Sequence, residues 1–517
     1  MSKTISRRDF LKYAGGGVAV LVVGSKLGWM LKDPRAAAAA TQTLDFHMTD
    51  ILKDMATHNS LNNAQCYFWT YKDTTVRTGF PTGFPAESPG PIIMVAKGDT
   101  IVINVTNDLD EPHTLSCPSL GVTSAAIPPG QTAQITIPAS VCGSHLYYDH
   151  LNAPVNRLMG LHGVIVVMPT EADRTVGHNL TPYGGLAASN GVQRLYDDFG
   201  RNTQTNVVST HFPGLAWEQG DSSTWALYDP AIDGPTPVVN CPPFRTYVWL
   251  LSQASPKLFA EVGNATPGTG ARVPATFMDA FLRDTFQPHT FHTDNPGGNR
   301  IPQFFLINGQ SGFFSHFSPY ITPIGRVGEP VVIHIVNAGL WAHSMHLHAN
   351  HMWITSVNGV VNTNPIWVDV YRVDPMDRID YTVPFMRPPD VGHPKGIGLP
   401  ETPLQTANGH PVWPPIEEFA MYMPPLGTKA KNAQNQDVEL GQRMSPLCYP
   451  MHDHSEPSQT SQGGNYNTGL ISGIYFIGDR NGMMDFPMDE DFHMAYQNAR
   501  GCTSGTQDAA PPIGEIH

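Results

Sequence analysis

Charged side chains are scarce in this 517-residue chain, at 14% of all residues. Long solvent-exposed helices depend on Glu, Lys and Arg, so this scarcity argues against a largely helical protein. Basic residues are also outnumbered, with 30 Lys and Arg against 44 Asp and Glu and a formal net charge of −14. Because an acidic surface repels phosphate, we expect neither nucleic acid nor an anionic membrane as a partner.

Long apolar runs are absent as well. The first apolar stretch, residues 14–23, is followed by Lys26, well short of the ~20 residues that a membrane span needs. It is preceded by the twin-arginine sequence SRRDFLK at residues 6–12 and followed by five alanines at residues 36–40. We therefore predict a twin-arginine export signal over residues 1–40 that is removed, leaving no membrane span, with an uncleaved anchor as the alternative.

Cysteine is sparse, with six residues and no Cys-x-x-Cys motif. Export would place the mature chain in the periplasm or outside the cell, where disulfides persist. We predict Cys117 with Cys142 as a plausible bridge, on spacing alone.

Proline and glycine are plentiful instead, with 47 and 48 residues, which favours a loop-rich β protein. Residues 91–107 read as two strands joined by Lys-Gly-Asp, and residues 324–338 repeat that plan of turn, apolar strand and closing Asn. The segment 143–168 is echoed in the same way by 469–478. The sequence thus predicts an all-β fold of tandem Greek-key β-sandwiches with long loops.

The predicted boundaries follow from these repeats. They are a first domain at 41–170, a long connection or degenerate small domain at 171–243, a second domain at 244–480 and a C-terminal tail at 481–517. The early strands of the second domain are predicted at residues 245–252 and 304–309.

Histidines are concentrated in two motifs. Residues 343–348 read His-Ser-Met-His-Leu-His, and residues 452–454 read His-Asp-His. Side chains two apart on a strand project from the same face, so each His-x-His pair can aim two imidazoles at a common point. Such a set suits copper, zinc or iron, whereas hydrogen-bonded core or surface histidines are the alternative.

With these motifs the chain resembles the multicopper oxidases, which are built from cupredoxin domains. The third motif of that family, His-x-x-His-x-His, is complete at residues 343–348, and its flanks at 305–309 and 353–359 are also similar. The resemblance covers roughly residues 85–170 and 245–480. It implies cupredoxin domains, copper as cofactor and an oxidoreductase that takes a small-molecule or metal-ion substrate and dioxygen.

Several departures from the family pattern change what the resemblance implies. Asp453 stands where the fourth motif has cysteine, so the thiolate of a blue, type 1 copper site is missing. Tyr148 replaces one histidine of the second motif, while the other is kept as His150. The first motif corresponds to residues 116–119, which have no histidine. Tyr148 is then a ligand, an outer hydrogen-bond donor or a structural residue, and Asp453 orients His343, binds a harder cation or has no metal role.

The candidate metal ligands are six histidines: His150, His343, His346, His348, His452 and His454. Five of them, all but His343, match the ligands of the family's trinuclear copper cluster. The resemblance implies an exported oxidoreductase with a reduced, non-blue copper site, with a non-catalytic cupredoxin scaffold or metal-binding protein of the envelope as the alternative. Two-domain family members assemble as trimers and three-domain members close the cluster within one chain, so a homotrimer depends on what residues 171–243 form.

Overall fold

The structure is a computed structural model. It describes residues 20–22, 40–55, 64–76, 86–168, 245–286, 304–316, 321–327, 331–348, 350–383, 406–407, 410–411, 429–431, 434–439, 448–455, 458 and 469–479. The predicted connection at 171–243, the tail at 481–517 and nearly all of the signal segment at 1–40 lie outside the described residues.

The first half of the chain forms a sandwich of two four-stranded sheets, ordered β1-β4-β8-β7 and β3-β2-β5-β6. Its strands are β1 (Val20–Val22), β2 (Thr41–Met55), β3 (Ala64–Asp73), β4 (Ile92–Ala96), β5 (Thr100–Asn107), β6 (Thr132–Pro138), β7 (Gly143–Tyr148) and β8 (His162–Met168). Strand β5 shows the alternation of buried and half-buried residues that one core-facing side requires. A short helix, Val155–Leu158, joins β7 to β8, and a 3-10 turn lies at Pro118–Leu120.

The second half forms a larger sandwich, with sheets ordered β10-β9-β12-β17-β14-β15 and β11-β23-β22-β13-β16. Its strands are β9 (Arg245–Ala254), β10 (Phe304–Ile307), β11 (Ile324–Val327), β12 (Val331–Asn337), β13 (His343–Leu347), β14 (Met352–Val357), β15 (Val360–Val368), β16 (Val370–Val373), β17 (Arg378–Val383), β22 (Cys448–Asp453) and β23 (Ile471–Asp479). Two small hairpins pair β18 (Thr406–Ala407) with β19 (His410–Pro411) and β20 (Lys429–Lys431) with β21 (Asp437–Glu439).

The two sandwiches share one topology. Strand β5 lies parallel to β2 and antiparallel to β6, as β12 lies parallel to β9 and antiparallel to β17. In the facing sheets, β8 is parallel to β4 and antiparallel to β7, as β23 is parallel to β11 and antiparallel to β22. The predicted all-β fold of two sandwiches with the same plan, including early second-domain strands at β9 and β10, is confirmed.

Helices between β9 and β10 depart from the expected division of the chain. They are Pro256–Asn264 and Pro274–Phe286, with a 3-10 turn at Gly270–Arg272 between them, and each helix begins with proline, whose fixed φ suits the first helical position. Both lie within the predicted second domain, yet Phe259 and Phe277 are buried in the core of the first. No helix in the described ranges has the length and apolar character of a membrane span.

Strand β10 belongs to both cores. Phe304 and Leu306 pack in the first core, whereas Phe305 and Ile307 pack in the second. Successive side chains of a strand point to opposite faces, so a single strand can serve two cores. The two sandwiches are therefore packed against each other through shared elements.

Two buried histidines predict an acid-sensitive fold. Burial lowers the pKa of His145 and of His162 from 6.5 to about 4, and for His145 the nearby Arg378 guanidinium adds to this. Arg378 also donates to the Ser144 carbonyl across the contact between the sandwiches. Because both folded-state pKa values are depressed, stability is complete above pH 6.5 and is lost as the pH falls toward 4, by at most about 3 kcal/mol per histidine.

Urea unfolding between pH 7 and 4 measures this loss. The double variant His145→Gln/His162→Gln should show a smaller decline than the unmodified protein over that interval. Parallel curves for the two proteins would mean that the buried imidazoles do not account for the acid sensitivity.

Candidate metal centre

Two neighbouring strands of the second sandwich carry the histidine motifs. Strands β13 and β22 are antiparallel, and His346 lies directly opposite His452. Burial along β13 alternates, with His343, Met345 and Leu347 inward. The backbone N–H of His454 donates to the Ser344 carbonyl at 2.7 Å, which continues the ladder past the end of β22. Both His-x-His pairs therefore project from the outward face of this strand pair.

Four imidazoles form a cluster on that face. His346 has its ring centroid 4.9 Å from that of His348, 5.3 Å from that of His452 and 5.3 Å from that of His454. The Nε2 atoms of His348 and His452 are 2.7 Å apart, a hydrogen bond in which one ring donates to the other. We call His346, His348, His452 and His454 the four-imidazole cluster. The structure brings together these four of the six predicted ligands.

Hydrogen bonds fix the orientation of two of the rings. His346 Nδ1 lies 3.1 Å from the Asp369 carbonyl, and His452 Nδ1 lies 3.0 Å from the Asp453 carbonyl. A carbonyl can only accept, so both Nδ1 atoms carry the proton and both Nε2 atoms keep a lone pair. This outer bond is the usual arrangement behind a metal-bound imidazole. The Asp369 carbonyl was not predictable, because no sequence signal marks a backbone acceptor.

The electrostatics of the cluster favour the neutral form of His348 and of His452. The pKa of His348 is lowered by partial burial and by its three histidine neighbours. The pKa of His452 is lowered by burial and by His346 and His454, against the raising effect of its bond to the Asp453 carbonyl. Neutral imidazole is the form that binds a metal, so these two rings favour a metal ion over protons.

The spacing of the donor atoms fits a metal ion. One nitrogen from each of His346, His348 and His452 lies within 4.8 Å of the other two. Imidazole nitrogen binds a transition metal at about 2 Å, so two nitrogens on one ion are at most about 4 Å apart. Small side-chain rotations would bring these donors onto a single ion, with His454 beside them. Imidazole donors suit copper and zinc, whereas calcium and magnesium prefer oxygen.

His343 lies on the opposite face of β13 and does not join the cluster. It is three residues from His346, an odd spacing that reverses the direction of a strand side chain. Its Nδ1 donates to Asp453 Oδ2 at 2.6 Å, and both side chains are 0% exposed. The interpretation that Asp453 orients His343 therefore describes the observed contact.

Asp453 occupies the core beside the cluster. It also accepts from the backbone N–H of Ser344 at 2.7 Å, from that of Ser455 at 3.0 Å and from the Ser458 hydroxyl. Burial acts to raise the pKa of this carboxyl, but the His343 charge and the donated hydrogen bonds together lower it. The carboxylate is thus ionised and fully bonded inside the domain.

His150 stands apart from the cluster. It follows β7 in the first sandwich, and its Nδ1 lies 2.9 Å from Ser116 Oγ and 3.0 Å from Thr114 Oγ1. Within the described part of the chain, none of its hydrogen bonds or ring contacts reaches the four-imidazole cluster.

The predicted bridge between Cys117 and Cys142 is wrong. Cys117 is a free, buried thiol, as is Cys66. Burial raises the pKa of Cys117 to about 11, so this thiol is protonated and inert near neutral pH. Sequence spacing gave no information on the direction of the two side chains, which decides whether sulfurs meet.

A comparison with protein families finds a match in the first sandwich. Residues 71–172 match the family model described as Multicopper oxidase. An L-ascorbate oxidase of Brassica rapa subsp. pekinensis is 30% identical over 104 residues, which is 18% of this chain and 18% of that protein. The chain thus matches less than a fifth of the length of this curated relative.

Solved structures with a similar fold include two from Nitrosomonas europaea. The blue copper oxidase is 14% identical with a TM-score of 0.45, over 90% of this chain and 95% of that one. The copper nitrite reductase is 14% identical with a TM-score of 0.40, over 84% of this chain and 94% of that one.

The fold and the site define a protein of two cupredoxin-like sandwiches, the second of which presents four clustered imidazoles. Residues 71–172, which cover much of its first sandwich, match the multicopper oxidase family model. The resemblance to that family is confirmed over these residues. The second sandwich repeats the arrangement of the central strands of the first within larger sheets.

Proposed function

We propose that this protein is an exported oxidoreductase of multicopper oxidase type that holds a non-blue copper site on the four-imidazole cluster. The observation that carries the proposal is the convergence of His346, His348 and His452 donor atoms within 4.8 Å. The family match over residues 71–172 supports copper as the metal. Bound copper would supply one-electron redox chemistry and an open coordination position for a small ligand.

The non-blue character follows from Asp453. A blue site needs two histidines and a thiolate. Here the Asp453 carboxylate stands at the thiolate position and accepts a hydrogen bond from His343 Nδ1 at 2.6 Å. His343 and Asp453 satisfy each other and leave no soft sulfur donor. Electron relay of the laccase kind, through a thiolate to a distant cluster, is therefore not part of the proposal.

Substrate access fits the position of the rings. His348 and His454 are exposed, while His346 and His452 are half-buried. A small molecule or metal ion can reach the exposed side of the cluster without crossing the core. We propose that such a substrate and dioxygen meet at this surface, where His346 and His452 hold the inner side through their Nδ1 hydrogen bonds.

Export and assembly complete the proposal. The twin-arginine sequence at residues 6–12 supports passage to the periplasm or the cell exterior. A homotrimer would supply His150 from the first domain of a neighbouring copy as a fifth imidazole. The Nδ1 contacts of His150 with Ser116 and Thr114 leave its Nε2 available for that role.

A second candidate is a metal-binding or scaffold protein of the envelope without catalysis. The buried His343–Asp453 pair favours it, because that pair fills the region where electrons enter in the copper oxidases. The two candidates differ in turnover, not in metal binding.

Metal analysis and electron paramagnetic resonance of the exported protein test the proposal. We expect bound copper with a paramagnetic signal and no intense blue absorption, together with oxygen consumption when a phenolic or metal-ion reductant is added. Copper binding without oxygen consumption would favour the scaffold candidate. Intense blue colour, or no copper above trace after loading, would contradict the non-blue site.

A further inference from the structure

The first domain contains a counterpart of the frame that surrounds Asp453. Asp149 is, like Asp453, completely buried, and it accepts from His113 Nδ1 at 2.7 Å as Asp453 accepts from His343 Nδ1 at 2.6 Å. The residue after each histidine donates its backbone N–H to the same carboxylate, Thr114 at 3.1 Å in one domain and Ser344 at 2.7 Å in the other.

Further bonds extend the correspondence. The second residue after each aspartate donates its N–H to it, Leu151 at 2.9 Å and Ser455 at 3.0 Å. The backbone N–H of each aspartate donates, at 3.0 Å, to the carbonyl of the leucine before the next strand, which is Leu161 for Asp149 and Leu470 for Asp453. An aromatic ring meets each histidine edge to face.

The strand that leads to each histidine ends in the same way. Asn107 and Asn337 lie six residues before His113 and His343. Each asparagine side chain donates to the carbonyl four residues ahead, at 2.8 Å, and accepts from the N–H two residues ahead, at 3.0 and 2.9 Å. His113 was missed as a functional position, although its spacing in His113-x-x-Ser116 repeats that of His343-x-x-His346.

The correspondence aligns the two faces residue by residue. Ser116 pairs with Tyr148 in an antiparallel bridge, as His346 pairs with His452. The residues equivalent to His346, His348, His452 and His454 are therefore Ser116, Pro118, Tyr148 and His150. The same buried frame thus supports four imidazoles in one domain and one in the other.

We infer that Asp453 is a positioning residue of the metal centre, which holds the His452 and His454 pair in register with His346 through the buried frame. Asp149 belongs to a matched copy of this frame, which carries one imidazole in place of four. The inference builds on the proposed copper site. Asp453 lies between two ligands in sequence, and through His343 and Ser344 its side chain ties β22 to β13 where the ligands emerge.

Hydrogen bonds connect the Asp453 side chain and backbone to the ligands of β22. Asp453 Oδ1 holds the N–H of Ser344, and the Ser344 carbonyl in turn accepts the N–H of His454 at 2.7 Å. The Asp453 backbone carbonyl accepts from His452 Nδ1. Movement of Asp453 would therefore shift both imidazoles of β22 against His346. Outer residues of this kind change metal affinity by about 10- to 100-fold.

The positioning role of Asp453 can be tested by substitution, with the equivalent substitution of Asp149 as a matched control. Asp453→Asn and Asp149→Asn make the same change in the two domains. A fully buried carboxylate oxygen, which accepts a hydrogen bond from a histidine, becomes an amide nitrogen, which donates one. Both variants should lose stability to a similar extent in urea. Only Asp453→Asn should weaken copper binding by roughly 10- to 100-fold and change the copper hyperfine splitting in the paramagnetic resonance spectrum. Asp149→Asn should change the copper affinity and the spectrum less than Asp453→Asn does, because it can act only through His150, the one imidazole at the equivalent positions of the first domain.

A second pair of variants, with smaller changes, tests the same role if Asp453→Asn fails to fold. Ser458→Ala and Asn156→Ala each remove one side-chain donor to the respective aspartate. Ser458→Ala should weaken copper binding in the same direction but less than Asp453→Asn, and Asn156→Ala should weaken it less than Ser458→Ala. Equal copper effects in both domains, or none in either, would overturn the positioning role.

Imidazole ¹⁵N spectra of the metal-free proteins separate this inference from the proposed function. Asp453→Asn should shift the signals of the four-imidazole cluster, whereas Asp149→Asn should not. If the unmodified protein binds no copper, the proposed function fails, and these spectra still decide the positioning role. Unshifted cluster signals in Asp453→Asn would contradict it.

Discussion

Replacing His346 with alanine is expected to lower copper affinity by 100-fold or more and to reduce the bound copper to background. His346 is central in the four-imidazole cluster, since its ring lies 4.9 to 5.3 Å from each of the other three. Loss of an outer residue already costs about 10- to 100-fold in affinity, and loss of a ligand should cost at least as much. Copper content after loading and the paramagnetic resonance signal measure the change.

His47→Ala is the control for this variant. His47 is a partly exposed histidine of β2 that pairs with Asp108, in the other sandwich from the cluster. It should keep the full copper content. Because His346 is half-buried at the surface of β13, both variants should fold normally. Unchanged copper in His346→Ala would move the metal site away from these strands.

Replacing Arg272 with alanine should reduce the free energy of unfolding by about 1 to 3 kcal/mol, because it leaves the largely buried Glu111 carboxylate without its charged partner. Arg272 is 3% exposed and lies between the helices of residues 256–286 and the first sandwich. Its guanidinium contacts Asp110 at 2.6 Å and Glu111 at 3.5 Å, covers the Trp69 ring at 5.3 Å and donates to the Val262 carbonyl. Removal would leave Glu111, only 12% exposed, without its cationic partner.

Arg372→Ala is the matched control, because Arg372 is 70% exposed and pairs with Asp374 at 2.6 Å. Exposed pairs contribute between 0 and about 1 kcal/mol, so this variant should unfold close to the unmodified protein. Urea titrations followed by tryptophan fluorescence measure both. Equal losses in the two variants would show that Arg272 does not connect the helices to the first domain.

The repeat in the sequence was sufficient to predict two sandwiches of one plan. Apolar alternation with period two marks β5, because burial of one sheet face constrains every second residue. The equivalent segment β12 is buried throughout and also ends in asparagine. The helices at 256–286 escaped prediction. Their amphipathic pattern indicates a buried face, but not that this face would cover the core of the other domain.

The metal centre, like the fold, was predicted from the sequence only in part. His-x-His spacing predicted that each pair would share a face, and the cluster of His346, His348, His452 and His454 agrees with that prediction. The odd spacing between His343 and His346 could have excluded His343 by the same rule. The position of His150 depends on how the sandwiches pack and on assembly, which no local pattern contains.

The sequence by itself determined the strands, their faces, the pairs of imidazoles and the exchange of a thiolate for Asp453, because these depend on residue identity and on a period of two. Only the tertiary structure decided that β13 lies beside β22, that Asp453 bonds His343 and that His113 with Asp149 repeats this frame. Those contacts join residues 36 to 110 positions apart. They depend on strand order and register, which are fixed by packing across the whole domain.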